Sequence, residues 1–186
     1  MILWGRSFGG YLAPRSGAVI NQRSRLAAIV ADGGIYDFYQ STLCKLPPSA
    51  IADFEVGNDT AVDSLIAHLR SFVLSLDFML NFGYLGFNVT SPSAFFYALQ
   101  DYTMDDNMMN MLTCPIFVHN PAMDTVTGNA SAIFYAQLPI SVRNAQSTLF
   151  TEDPLRGASL HCSIGSSANG ILAILRWLRT LNITDP

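Results

Sequence analysis

The chain has 186 residues, a length typical of one domain and sufficient to bury a sizeable core. Half of the residues are apolar and 13% are charged, against roughly 25% in an ordinary soluble domain, which excludes a disordered chain. The net charge is −4 and the cations, nine Arg and one Lys, are scattered, which argues against a nucleic-acid partner. The three cysteines form neither a disulfide framework nor a metal-ligand spacing, so no metal is expected.

The first predicted elements are two buried strands joined by a helix. The apolar run Met1–Trp4 is typical of the end of a parallel strand, and a helix is predicted from Phe8 to about Asn21. Leu26–Ala31 is predicted as a second buried strand, and the turn Asp32–Gly34 ends it. Residues 38 to 48 are predicted as a connection that Pro47-Pro48 closes.

Residues 49 to 110 differ from what precedes them, because apolar side chains there recur with helical spacing. One of the predicted helices is Pro92–Leu99. The most apolar stretch, residues 65 to 87, contains an Arg, a His and an Asp, which a membrane-spanning helix would rarely carry. We therefore expect a helical segment and no membrane association.

The rest of the chain again alternates strands with helices. In order, the predicted elements are strand Cys114–His119, helix Ala130–Leu138, strand Ser147–Phe150 and helix Ala168–Leu181. Strands that alternate with helices predict an α/β protein with a mostly parallel sheet and helices on its faces.

The residues Gly5–Gly9 fit the pattern G-x-S-x-G, the nucleophile elbow, in which a serine occupies a tight strand-to-helix turn. The turn requires small neighbours and lifts the hydroxyl of Ser7 above the sheet, where it is a candidate nucleophile. The backbone N–H of Phe8 would then lie at the helix N-terminus and serve as an oxyanion-hole donor. The alternative interpretation is a structural turn in which Ser7 has no catalytic role.

A serine nucleophile needs a base, and the chain has three histidines. His161 follows the last predicted strand and precedes the last helix, which is the expected position of the base. His119 ends a predicted strand and is the second candidate. His68 lies in the helical segment and is expected on the solvated surface.

The imidazole also needs a carboxylate to orient it. Asp124 follows the third predicted strand, at the carboxyl edge of the sheet where sites of parallel sheets form. Ser7, Asp124 and His161 occur in the chain order Ser…Asp…His of α/β-hydrolases. Asp32 and Asp37, after the second predicted strand, remain competing candidates for the acid.

Several segments together resemble the fungal α/β-hydrolases related to the yellowish-green pigment heptaketide hydrolase and to dihydropseudooxynicotine hydrolase. The similar segments are Gly5–Arg15, Arg25–Ala28, Ala31–Asp37, Phe82–Phe87, Ser91-Pro92, Cys114-Pro115, Asp124, Gly128, Gly157-Ala158, His161-Cys162 and Gly165. They extend over nearly the whole chain and are more specific together than the elbow pattern alone.

The resemblance implies an α/β-hydrolase fold with an inserted helical lid at residues 49–110. Residues 1–48 would then carry the elbow and the start of the sheet, and residues 111–186 the acid and the histidine. The family's chemistry is serine-dependent C–C bond hydrolysis beside a ketone, or acyl transfer or hydrolysis, often on polyketides of secondary metabolism. The roles implied are Ser7 as nucleophile, Asp124 as orienting acid, His161 as base and Phe8 as oxyanion donor, with no cofactor.

In that family the elbow follows four or five strands, whereas here it begins the sequence. We therefore expect an N-terminally truncated chain that corresponds to the carboxyl-terminal half of such an enzyme. The alternatives are a non-catalytic remnant and a simple carboxylesterase or thioesterase. The expected partner is a small carbonyl substrate rather than nucleic acid or membrane, a homodimer is left open, and a cytoplasmic location is expected.

Overall fold

The computed structural model describes residues 1–20, 25–152, 159–181 and 183. Asn21, where the first predicted helix was expected to end, and the segment Gly157-Ala158 lie outside the described residues. The chain divides into two compact units, one made of Met1–Asp37 with Met104–Pro186 and the other of Phe38–Thr103. The predicted helical segment, residues 49–110, overlaps the second unit but has different bounds.

The described strands are β1 (Ile2–Arg6), β2 (Ala28–Asp32), β3 (Ile116–Pro121) and β4 (Thr148–Glu152). The described helices are α1 (Phe8–Val19), α2 (Phe38–Leu43), α3 (Pro48–Glu55), α4 (Asp59–Leu69), α5 (Leu74–Phe87), α6 (Pro92–Leu99), α7 (Asp106–Asn110), α8 (Ala130–Gln137), α9 (Ile140–Asn144) and α10 (Ser167–Thr180). In the described residues the strands form one sheet in the order β1-β2-β3-β4, and every pair is parallel. The predicted α/β architecture with a parallel sheet is therefore confirmed.

Helices cover both faces of this sheet, as a buried parallel sheet requires. On one face α1 approaches β2 so closely that a Cβ at Gly17 would lie 2.5 Å from Cδ1 of Ile29. On the opposite face Ile174 and Trp177 of α10 pack in a core cluster with Ala28, Val30 and Phe117. Successive residues of a strand point to opposite faces, so the apolar run of β2 serves both layers.

Strand β1 is the most exposed of the described strands and forms one edge of the sheet. Its residues Ile2 and Trp4 are 40% and 46% exposed. By contrast, all five residues of β2 are buried. The nucleophile elbow pattern therefore begins on the least covered strand described.

The predicted connection at residues 38–48 contains a short helix that the sequence analysis did not predict: α2 occupies residues 38–43, and α3 begins at Pro48. Within α2 the hydroxyl of Thr42 donates to the carbonyl of Phe38 at 2.8 Å, one turn earlier. Leu43 is buried in the core of the second unit, so tertiary packing stabilises a helix too short to be recognised from periodicity.

The second unit is helical and has its own apolar core. That core comprises Leu43, Leu46, Ala50, Phe54, Val62, Ile66, Leu80, Phe95, Phe96 and Leu99. The carboxylate of Asp63 accepts the backbone N–H of Ser93 at 2.7 Å and so joins α4 to the start of α6. None of the helices in the described residues combines the length and apolar character needed to cross a membrane.

We expect Gly83→Ala to destabilise the second unit by about 1–3 kcal/mol, because an added methyl would overpack a filled core. A Cβ at Gly83 would lie 2.4 Å from the ring of Phe95, which is itself buried. Gly86→Ala is the matched control on the same helix, since a Cβ there meets nothing within 4 Å. Thermal unfolding followed by circular dichroism measures both, and equal midpoints for the two variants would contradict the packing of α5 on α6.

Candidate active site

Ser7 occupies a sharp turn between the last residue of β1 and the first residue of α1. Its backbone has φ 57° and ψ −121°, a conformation that costs a non-glycine residue on the order of 1–3 kcal/mol. Two hydrogen bonds hold the turn: the N–H of Ser7 donates to the carbonyl of Asp32 at 2.9 Å, and the N–H of Gly10 donates to the carbonyl of Ser7 at 2.7 Å. The strained serine is exposed to solvent.

Glycines around the turn differ in what they contribute. A Cβ at Gly5 would lie 1.7 Å from the carbonyl oxygen of Gly9, and one at Gly10 would lie 2.8 Å from that of Gly33. A Cβ at Gly9 would meet nothing within 4 Å. The close packing of strand, turn and helix therefore requires Gly5 and Gly10, whereas Gly9 is not sterically required.

The structure brings Ser7, His161 and Asp124 into one hydrogen-bonded chain. Nε2 of His161 lies 2.9 Å from Oγ of Ser7, and Nδ1 of His161 lies 2.8 Å from Oδ2 of Asp124. An ionised carboxylate only accepts hydrogen bonds, so Nδ1–H donates to Asp124, and in the neutral imidazole Nε2 is left to accept from the serine hydroxyl. In this arrangement an imidazole can take a hydroxyl proton while a carboxylate orients it.

Asp124 lies in the loop between β3 and α8, and its carboxylate is saturated with donors. Oδ1 accepts the backbone N–H groups of Val126 and Thr127, while Oδ2 accepts the hydroxyl of Thr127 and Nδ1–H of His161. Burial raises the pKa of Asp124, but the hydrogen bonds from His161 and Thr127 outweigh it and set the pKa at about 2. The carboxylate therefore stays ionised and fixed in orientation.

His161 begins a short 3-10 turn, His161–Ser163, and is buried. Burial lowers the pKa of His161, but the hydrogen bond to Asp124 and the neighbouring Cys162 side chain raise it from 6.5 to about 9. Gly33 backs the imidazole, since a Cβ there would lie 3.1 Å from Cε1 of His161. The ring is thus confined between a carboxylate, a glycine and the serine.

The other candidates lie elsewhere. Asp32 and His119, the alternative acid and base, contact each other at 2.6 Å instead of joining the chain at Ser7. His68 is exposed in the second unit, as expected, with its ring edge-on to Phe72. Phe8 is the first residue of α1, so its backbone N–H lies at the helix N-terminus next to Ser7.

Two contributors to the site escaped the sequence reasoning. Thr127 donates twice to Asp124, and an Asp followed by Thr three residues later is a pattern typical of local side-chain-to-backbone capping. Gly33 was assigned only to a turn, although its φ of 74° and its contact with the imidazole both favour glycine. The first signal could have been read locally, whereas the second needs the packed structure.

Comparison with known proteins gives little further information. The sequence matches no model of a known protein family, and none of the curated proteins is detectably similar to it. Among solved structures, the chain is similar to one titled the crystal structure of a hydrolase from Pseudomonas aeruginosa PA01, with 15% identity and a TM-score of 0.48. The alignment covers 97% of this chain and 64% of that one, so the chain spans less than two thirds of that structure's length.

We expect Gly5→Ala to disrupt the elbow, because its methyl group would overlap the backbone of the first turn of α1. The free energy of unfolding should fall by more than about 3 kcal/mol, because the backbone of α1 cannot move aside as a flexible side chain can. Gly9→Ala is the matched control, with an expected change within about 1 kcal/mol. Urea titration of both variants measures the difference, and a stable Gly5→Ala protein would show that the described turn is wrong.

Proposed function

We propose that this chain is a serine-dependent hydrolase of the α/β-hydrolase type, acting on the carbonyl carbon of a small organic substrate. The observation that carries the proposal is the continuous chain of hydrogen bonds from the exposed hydroxyl of Ser7 through His161 to Asp124. Each group has the environment its role needs: the hydroxyl is accessible, the imidazole is oriented and the carboxylate is ionised.

The proposed reaction begins when Oγ of Ser7 attacks the carbonyl carbon and its proton passes to Nε2 of His161. The carbonyl electron pair moves onto oxygen, where the N–H of Phe8 and the N-terminus of α1 stabilise the negative charge. Collapse of this intermediate breaks the bond to the leaving group, which receives the proton from His161. A water molecule then attacks the acyl-enzyme by the same route and regenerates Ser7.

The substrate we propose is a polyketide or another β-dicarbonyl compound, which the family resemblance implies. In such a substrate the leaving group of C–C cleavage is a carbanion stabilised as an enolate by the second carbonyl. Protonation by His161 would release it as a ketone. The principal alternative is a carboxylesterase or thioesterase, in which the same residues expel an alcohol or a thiol.

We also propose that the four strands belong to a larger α/β-hydrolase sheet, of which this chain supplies the carboxyl-terminal part, with residues 49–110 as its lid. The exposed apolar residues Ile2 and Trp4 on the outer strand β1 favour additional polypeptide beside that strand. A second backbone donor to the oxyanion is expected from that addition. Losing one such donor typically lowers the rate about 10²–10³-fold.

A fluorophosphonate probe should label the purified chain at Ser7, and Ser7→Ala should abolish the labelling. The pKa of His161 is raised to about 9, so the neutral imidazole that acts as base becomes more abundant as pH rises. The labelling rate should therefore increase nearly tenfold per pH unit from pH 7 and level off near pH 9. Mass spectrometry of the labelled peptide measures both the site and the rate.

Asp124→Asn is the companion variant, and it should slow labelling because the imidazole loses its orienting carboxylate. Cooperative unfolding with no labelling at any pH would favour the non-catalytic alternative. Labelling that survives in Ser7→Ala would refute the assigned nucleophile.

Product analysis separates the proposed C–C hydrolase from the esterase alternative. The chain is incubated separately with a β-diketone and with a p-nitrophenyl ester, and Ser7→Ala serves as control for both. We expect a carboxylic acid and a ketone from the diketone, in equal amounts. Turnover of the ester without cleavage of the diketone would favour the carboxylesterase reading.

A further inference from the structure

Three charged or titratable residues stand side by side across the sheet at its carboxyl edge. The parallel register pairs Arg6 of β1 with Asp32 of β2, and Asp32 with His119 of β3. Residues paired in this way point to the same face of a sheet, and this face carries the core cluster with α10. We call Arg6, Asp32 and His119 the polar row. Asp32 and His119 lie two residues after the apolar pair Val30 and Phe117, so the polar row borders the apolar layer at the carboxyl edge.

The centre of the row is a second Asp–His pair. Nδ1 of His119 lies 2.6 Å from Oδ1 of Asp32, and the His119 side chain is fully buried. Since a carboxylate only accepts, Nδ1–H donates to Asp32 and the other ring nitrogen faces away from the acid. That nitrogen, Nε2, lies 3.4 Å from Oγ of Ser163, two residues after His161.

The polar row makes two more contacts with the turn His161–Ser163, which we call the histidine turn. The guanidinium of Arg6 donates to the carbonyl of Cys162 while its Nε lies 3.5 Å from Oδ2 of Asp32. The thiol of Cys162 is 3.5 Å from the carbonyl of Asp32, the same carbonyl that accepts the N–H of Ser7. The backbone carbonyl of Asp32 therefore contacts both Ser7 and Cys162, and its side chain reaches the turn at His161 through Arg6.

The histidine turn needs such contacts because its backbone is strained. Cys162 and Ser163 have φ values of 52° and 55°, in the left-handed region that costs a non-glycine residue on the order of 1–2 kcal/mol. Two consecutive residues of this kind persist only where the surroundings stabilise them. Relaxation of either residue would move the backbone that carries His161.

Helix α10 packs against both the histidine turn and His119 of the polar row. A Cβ at Gly170 would lie 2.4 Å from Oγ of Ser163 and 3.7 Å from Cε1 of His119. The glycine lets the helix approach to this distance, so the hydroxyl of Ser163 is confined between α10 and the imidazole. The hydroxyl is buried, which makes its hydrogen bonds more valuable than they would be in water.

We infer that Asp32 and His119 are positioning residues that act through Ser163 to hold His161 at hydrogen-bond distance from Ser7. The inference rests on the proposed function, because it assigns to the second Asp–His pair a part in keeping the first one aligned. The carboxylate of Asp32 contacts Arg6 and His119, and His119 contacts Ser163. Its effect passes through the strained residues Cys162 and Ser163.

His119→Phe tests this role, because it keeps a ring of similar size and removes both nitrogens. We expect the labelling rate to fall about 10²-fold, because a displacement of His161 by about 1 Å costs about that factor. Every folded molecule should still become labelled if the reaction is given enough time. Phe117→Leu, two residues earlier on the same strand and face, is the control for lost core stability. It should lower the thermal midpoint without changing the labelling rate of folded protein.

A second readout does not depend on activity. Proton NMR of the His161 imidazole follows its titration, and its pKa should fall toward the ordinary value in His119→Phe as the contact with Asp124 loosens. If wild type is not labelled but this pKa shift is found, the proposed function fails and the positioning role stands. An unchanged His161 pKa, or a labelling rate equal to that of Phe117→Leu, would overturn the inference.

Ser163→Ala serves where His119→Phe does not fold, because it removes one hydroxyl and little volume. The same two readouts apply, with an expected loss of about tenfold in labelling rate and a smaller fall in the His161 pKa. Wild-type behaviour of Ser163→Ala in both readouts would show that the pair does not act through this hydroxyl.

Discussion

The parallel register of β1, β2 and β3 is the constraint on which the candidate site depends. It brings the carboxyl ends of three strands to one edge, and Asp32 occupies the middle position there. The carbonyl of Asp32 accepts the N–H of Ser7 and its carboxylate accepts from His119. A shift of register by one residue would turn these side chains to the other face and separate them.

Two Asp–His pairs form at this edge, and their surroundings differ. Asp124 receives four donors in a loop of its own, and its histidine reaches an exposed serine. Asp32 shares its carboxylate between Arg6 and a fully buried histidine, His119. The two pairs therefore differ in what adjoins each histidine: the exposed Ser7 beside His161, and the buried Ser163 beside His119.

The sequence was most informative where local chemistry decides the structure. Apolar runs predicted the strands because parallel strands are buried on both faces. The pattern Gly5–Gly9 predicted the turn at Ser7 because a steric rule within five residues governs that turn. Chain order favoured Asp124 as the acid but left Asp32 and Asp37 as competitors, because the contact between Asp124 and His161 forms only in the folded chain. The left-handed backbone at Cys162 and Ser163 gave no signal, because neither residue favours that conformation and tertiary contacts impose it.

The elbow lies on the most exposed described strand, and this couples the site to the edge of the sheet. If β1 opened locally, the hydrogen bond from Ser7 to Asp32 and the ion pair from Arg6 to Asp32 would be lost together. Strain at Ser7 favours that opening, whereas pairing along β2 opposes it. Any polypeptide that adds to the outer side of β1 would bury Ile2 and Trp4 and so raise the free energy of opening. We therefore expect the order of the candidate site to depend on how well β1 is covered.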